Sequence, residues 1–176
     1  RLPDMLHAAI HHGPIGEARL GSFDPGKAKG VAGLVKLVPG PDWLAAVATS
    51  WWAAERALGL IAPRFAAKRK AASSKIAERL EQALRQGDAT RVAELGDPDA
   101  WLAEKFEHTA HYSVAPGLHA TLETASATAR VGDGRCELWL ASQAPQAARR
   151  AAAAALGIGI ADVVLYPMPA GGSFDA

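Results

Sequence analysis

The sequence predicts an α+β protein built in two units, and three observations carry that prediction. Short runs rich in β-favouring residues, bounded by Gly and Pro clusters, occupy both ends of the chain. Apolar residues recur at helical spacing in separate stretches between and within those ends. Strands and helices also follow one another without a regular βαβ rhythm, which argues against a doubly wound parallel sheet.

Residues 5–11 and 17–23 read as strands, with Gly13-Pro14 as the turn between them. Residues 25–30 suit a short helical turn. Residues 31–38 and 44–49 read as two strands split by the breaker cluster Pro39-Gly40-Pro41-Asp42. Ser50 is a good N-cap for a helix in which Trp52, Ala53, Arg56, Ala57 and Leu60 follow at helical spacing, and Pro63 ends it. Residues 66–72, with Lys68, Arg69 and Lys70, read as a solvated linker. Ser73 or Ser74 caps a helix that places Ile76, Leu80 and Leu84 on one face and stops at Gly87. A helical turn over 90–95 ends at Gly96-Asp97-Pro98.

The last third opens with a strand over 106–114. Residues 124–131 and 136–140 flank Gly132-Asp133-Gly134-Arg135, a hairpin signal because Asp-Gly tolerates the positive φ angles of a tight turn. A helix over 145–156 starts on Pro145, where a missing N–H costs nothing, and ends at Gly157. Residues 163–166 form a final strand before Pro167-Met168-Pro169-Ala170-Gly171-Gly172. The boundaries that follow are 1–66 for the first unit, 67–105 for a helical connector and 106–176 for the second unit.

Composition removes several functions. The 176 residues, 49% hydrophobic and 21% charged, suffice for a real core, and a net charge of +1 gives no electrostatic footprint for nucleic acid. No apolar run reaches the roughly 20 residues of a membrane span. One cysteine, Cys136, excludes an internal disulfide and a Cys-rich zinc site; it reads as a small half-buried strand residue. His7 and His11 fall in a predicted strand, where a four-residue gap separates them by about 13 Å, too far for one metal. No metal-ligating residue is assigned. Trp51-Trp52 at a helix start face different directions, so at least one belongs to the core.

The region around Gln143 and Gly171-Gly172 carries chemistry of another kind. Ala141-Ser142-Gln143-Ala144-Pro145-Gln146 lies where a strand ends and a helix begins, a junction that presents free backbone N–H groups. Gly171-Gly172-Ser173-Phe174 follows the next strand, and paired glycines let a backbone approach a ligand. Both loops leave the C-terminal ends of strands on either side of one helix, so they can share a crevice. Residue chemistry leaves a second reading open, that of two ordinary connecting loops.

At these residues the sequence resembles the molybdopterin-binding large subunits of the xanthine dehydrogenase/aldehyde oxidase family, isoquinoline 1-oxidoreductase beta subunits in particular. Tyr112-Ser113-Val114-Ala115-Pro116-Gly117-Leu118-His119-Ala120-Thr121-Leu122-Glu123 resembles the family's Tyr…Pro…His-Ala-x-x-Glu segment. Glu137-Leu138-Trp139-Leu140-Ala141-Ser142-Gln143-Ala144-Pro145-Gln146 resembles its Glu-x-Trp-x-x-x-Gln-x-Pro-Gln segment. Gly171-Gly172-Ser173-Phe174 resembles its Gly-Gly-Gly-Phe-Gly loop, with Ser173 and Asp175 standing where the family has glycines. Leu2-Pro3-Asp4-Met5-Leu6 resembles the opening of the family's hammerhead domain.

The resemblance implies an α/β-hammerhead-like first unit, a helical connector, and the first segment of a molybdenum-cofactor-binding domain. It implies Gln143 beside the molybdenum as the catalytic contribution of this chain, with Gly171, Gly172 and Phe174 against the cofactor. The implied cofactor is a molybdenum–pterin, its cytosine dinucleotide form being one alternative, held in a complete enzyme and not by this stretch in isolation. The implied reaction is oxidation of an aldehyde or nitrogen heterocycle with oxygen from water. The implied partners are the remainder of the large subunit, an iron–sulfur small subunit and the small-molecule substrate, with no nucleic acid and no membrane span. Glu123 matches a family glutamate and is expected to be structural; the family's base glutamate lies beyond the matched segments. The chain therefore reads as an N-terminal piece of such a subunit, inactive by itself. A non-catalytic scaffold that kept the fold is the alternative.

Overall fold

A strand whose two neighbours both pair with it sits in the middle of the first unit. β4 (Trp43–Ala48) runs antiparallel to β1 (His7–His12) and to β3 (Leu34–Pro39), giving the order β1-β4-β3. The computed structural model describes residues 2–15, 17–68, 72–87, 90, 92, 93, 95–97, 100, 103, 108, 110–115, 117 and 121–172. The chain divides into two compact units, Arg1–Asp99 and Ala100–Ala176. Helices and sheets are mixed in sequence order, so the fold is α+β, as the residue pattern predicts.

In the first unit the central place of β4 buries Leu44, Ala46 and Ala48 on the face that α1 (Trp51–Ile61) covers. Ser50 starts that helix by accepting a 3.2 Å hydrogen bond from the Ala53 N–H. Ala53, Ala54, Ala57, Leu58 and Ile61 form its buried face and pack with Ala9, Ala28, Leu44, Ala46 and Ala48. This phase corrects the expectation for the tryptophans. Three alanines let the helix axis approach the sheet closely, and the face they define turns Trp51 and Trp52 outward, at 54% and 68% exposure. A left-handed Ala62 (φ 45°) closes the helix one residue before Pro63.

The stretch expected to be a solvated linker instead begins with β5 (Phe65–Ala67), which pairs antiparallel with β2 (Ala18–Leu20). Three-residue strands are too short for alternation to show, and their pairing partner lies far away in sequence. Arg69, Lys70 and Ala71 lie outside the described residues. α2 (Ser73–Gln86) starts at Ser73 itself, with Ala72 at the N-cap and no side-chain cap bond. Its row of Ile76, Leu80 and Leu84 is exposed.

The second unit is a three-stranded sheet in the order β6-β7-β8. β6 (Ala127–Gly132) and β7 (Arg135–Leu140) form the expected hairpin, joined by Asp133 and Gly134 at φ 50° and 72°. Positive φ at both central residues matches the right-handed twist of the strands. α3 (Pro145–Leu156) then carries the chain back, with Gly157 left-handed at its end, and β8 (Val163–Pro167) lies parallel to β7. Cys136, Val163 and Ala153 form the buried cluster between this sheet and α3. Cys136 is thus fully buried rather than half-buried. Of the strand expected over 106–114, Phe106, Glu107 and Thr109 lie outside the described residues, and residues 108 and 110–114 belong to no strand. Of the helical turn expected over 90–95, Arg91 and Glu94 lie outside, and residues 90, 92, 93 and 95 have no regular structure. Among the described residues no helix is long and apolar enough to cross a membrane.

Candidate functional site

The parallel pairing of β7 and β8 decides where the two predicted loops begin. Leu140 pairs with Pro167 at the last step of the ladder, and the Met168 N–H extends it by donating to the Leu140 carbonyl at 3.0 Å. The loop bearing Gln143 and the loop bearing Gly171-Gly172 therefore leave one edge of one sheet from adjacent strands. In open sheets with such crossovers, ligands bind outside the carboxyl ends of the strands.

Each loop is held by short-range bonds. The Ser142 hydroxyl accepts from the Ala144 N–H at 3.0 Å, which fixes the turn around Gln143 and leads into α3. Gln143 is exposed. Arg149, one turn into α3, donates to the carbonyls of Val163 at 2.9 Å and Ile160 at 2.8 Å, and to Gln146 Oε1 at 3.3 Å. Its guanidinium ties the helix to the start of β8 and is committed there. On the other loop, the Glu123 N–H donates to the Gly171 carbonyl at 3.2 Å. Gly172 has φ +87°, a conformation that L side chains rarely adopt.

Between these segments lies a cavity of about 310 Å³ lined by Glu123, Thr124, Ser126, Thr128, Trp139, Met168 and Gly171, among others. Gln143 and Gly172 are not among its lining residues. The structure brings the two loops to one sheet edge but does not gather their predicted residues around one cavity. Phe174, with Ser173, Asp175, His119 and Pro116, lies outside the described residues.

The sheet face that carries this cavity also holds a polar and aromatic row. Arg130 forms an ion pair with Glu137, which accepts from the Tyr166 hydroxyl at 3.2 Å. Trp139 and Tyr166, paired across β7 and β8, stack with ring centroids 5.2 Å apart, and the Arg130 guanidinium lies 5.9 Å from the Trp139 ring centroid. Sequence reasoning missed this row. Glu137 and Trp139 are two apart on one strand and so share a face, but Tyr166 joins them only through the parallel register.

The residues present fit a molybdenum–pterin in one respect and fall short in another. Among the described residues nothing lies within 4 Å of where a Gly172 Cβ would stand, which leaves that backbone accessible to a bound group, and a carboxamide such as that of Gln143 can donate or accept. Among the described residues, the cavity lining holds hydroxyls and the Glu123 carboxylate but no cationic side chain. This edge suits the neutral contacts of the cofactor, and its negative charge needs groups from elsewhere. Among the described residues no group of three or more His, Cys, Asp or Glu could hold a metal ion. His11 Nε2 sits 3.2 Å from Glu55 Oε1 in the first unit.

A parallel β7-α3-β8 unit with two loops leaving adjacent strand ends is an arrangement that α+β cofactor-binding domains use. The model of one such family, the molybdopterin cofactor-binding domain, matches residues 82–174, more than half of the chain. The chain belongs to that family, and the resemblance to xanthine dehydrogenase/aldehyde oxidase-type large subunits is borne out. Among solved structures it is similar to quinoline 2-oxidoreductase from Pseudomonas putida 86, with a TM-score of 0.66 and 19% identity over 97% of this chain and 27% of that one. It is also similar to the Cu,Mo-CO dehydrogenase in its carbon monoxide reduced state, with a TM-score of 0.60 and 16% identity over 97% of this chain and 28% of that one. At these identities the likeness shows the fold. The chain spans little more than a quarter of either relative's length. No match was found among curated proteins.

Proposed function

We propose that this chain forms one edge of a molybdenum–pterin site in a molybdenum hydroxylase, completed by further polypeptide. The observation that carries this reading is the parallel β7–β8 pairing, which starts the Gln143 loop and the Gly171-Gly172 loop side by side. The cofactor, when bound, supplies the redox chemistry. The residues of this chain bind and orient. Gln143 offers a carboxamide that donates or accepts without adding charge, Gly171 and Gly172 offer backbone, and the resemblance adds Phe174 as a further contact. The missing cationic contacts and a carboxylate base within hydrogen-bond reach of the reacting centre come from the rest of the large subunit. An iron–sulfur small subunit is the electron-accepting partner. Aldehydes and nitrogen heterocycles are the substrate classes; the name of quinoline 2-oxidoreductase supports testing heterocycles first. The cytosine dinucleotide is the cofactor form to seek.

The test is Gln143→Ala in the complete enzyme. Turnover falls roughly ten- to a hundredfold, the effect of losing a positioning contact, while molybdenum content stays at the wild-type level. Unchanged turnover removes Gln143 from the site. A second reading, a scaffold without chemistry, is favoured by Ser173 and Asp175, where the family has glycines. It requires that the chain joined to its downstream polypeptide acquire no molybdenum.

A further inference from the structure

We propose that Glu123 is the positioning residue of the Gly171-Gly172 loop, and that it acts through its backbone and its Cβ rather than its charge. The inference rests on the reading of that loop as a cofactor contact and names what holds it in place. Gly171 and Glu123 meet more closely than two side-chain-bearing residues can. The Glu123 N–H donates to the Gly171 carbonyl at 3.2 Å. A Cβ built on Gly171 would stand 1.9 Å from Glu123 Oε2 and 2.3 Å from Glu123 Cβ. The first conflict is with the far end of a flexible side chain and can be relieved by rotation. The second is with an atom fixed to the backbone, and no rotamer relieves it.

The two glycines therefore have different reasons to be glycine. Gly171 is small because Glu123 fills the space beside it. Gly172 is glycine because its φ of +87° favours no side chain, and among the described residues nothing stands within 4 Å of its Cβ position. Of the pair, Gly172 presents the free backbone. Glu123 sits on the segment leading into β6, and the loop leaves β8, so this contact joins the two edge strands of the sheet beyond the end of β7. The Glu123 carboxylate has no hydrogen-bond partner among the described residues and lies along the cavity, which fits a role that charge does not carry.

The test has two readouts that fail separately. The first is hydrogen exchange over residues 168–172 in this chain, with the β7 amides as the internal control for folding. Gly171→Ala speeds exchange there about tenfold, as overpacking against a fixed neighbour does. Gly171→Ala combined with Glu123→Gly exchanges no faster than Glu123→Gly does, because the obstacle is gone. Glu123→Gln, which keeps the N–H and the Cβ, exchanges like wild type. Multiplying effects in the double variant, or loosening by Glu123→Gln equal to that of Glu123→Gly, overturns the assignment. The second readout is molybdenum content of the complete enzyme carrying the same substitutions. It falls with Gly171→Ala and recovers in the double variant if the loop meets the cofactor. Exchange that behaves as expected with molybdenum content unmoved overturns the loop's cofactor role and leaves the Glu123 contact standing.

Discussion

The two three-stranded sheets of this chain are covered to different depths. In the first unit α1 brings Ala53, Ala54, Ala57, Leu58 and Ile61 onto a sheet whose central strand is buried along most of its length. In the second, α3 brings Ala153 as its one buried residue among those described, and the cluster it joins is small: Cys136, Val163 and Ala153. Burial of apolar area is the main favourable term in folding, so the first sheet is held by its core. The second relies more on individual directed hydrogen bonds: Arg149 on the Val163 and Ile160 carbonyls, Ser142 on Ala144, and the Glu123 N–H on Gly171. Gln143, Gly171 and Gly172, the predicted site residues that are described, lie beyond the strand ends of that second sheet. Where binding geometry matters, short hydrogen bonds fix loops that a thin apolar cluster would leave free.

The largest expected effect comes from Leu58→Ala, which removes a fully buried side chain from the deeper core. Urea unfolding followed at the first unit should show a loss of about 2–5 kcal/mol. A loss under about 1 kcal/mol would put that core on a par with the other and break the comparison. Val163→Ala empties part of the thin cluster, also from a fully buried position. It should cost about 2 kcal/mol, read as faster exchange of the β7 and β8 amides. A larger penalty than that of Leu58→Ala would reverse the ranking.

Gly134→Ala tests the local devices of the second unit, since the turn holds that residue at φ 72°. The expected cost is about 1–2 kcal/mol, seen first in the amides nearest the turn. Ser50→Ala, the smallest, removes the α1 cap bond and should cost about 1 kcal/mol by thermal or urea unfolding. A change several times greater would mean that α1 depends on its cap rather than on its packed face.

Legibility in the sequence follows the range of the interactions. The Asp133-Gly134 turn, the Pro145 start and Gly157 end of α3, and the Ser50 cap were readable because each depends on residues within one turn of the chain. The β2–β5 pair was not, because three residues carry no alternation and their register is set by distant partners. Nor was the outward turn of Trp51 and Trp52. Tryptophan's size suggests burial, but the alanine face decides the phase of the helix. At the candidate site, the positions of Gln143 and Gly171-Gly172 at strand ends were readable from the order of strand, helix and strand. The closeness of Glu123 to Gly171 was not, because it joins the segment before β6 to the loop after β8, with the whole β7-α3 segment between them in sequence.

The central claim is that the β6-β7-β8 edge meets a molybdenum–pterin through open backbone at Gly172. The direct measurement is molybdenum content, by plasma mass spectrometry, of this chain joined to its downstream polypeptide, in wild-type form and as Gly172→Val. Wild type carrying molybdenum, with a marked loss in Gly172→Val at unchanged β7 exchange, is the predicted result. Equal loading of the two, or no molybdenum in either, would contradict it.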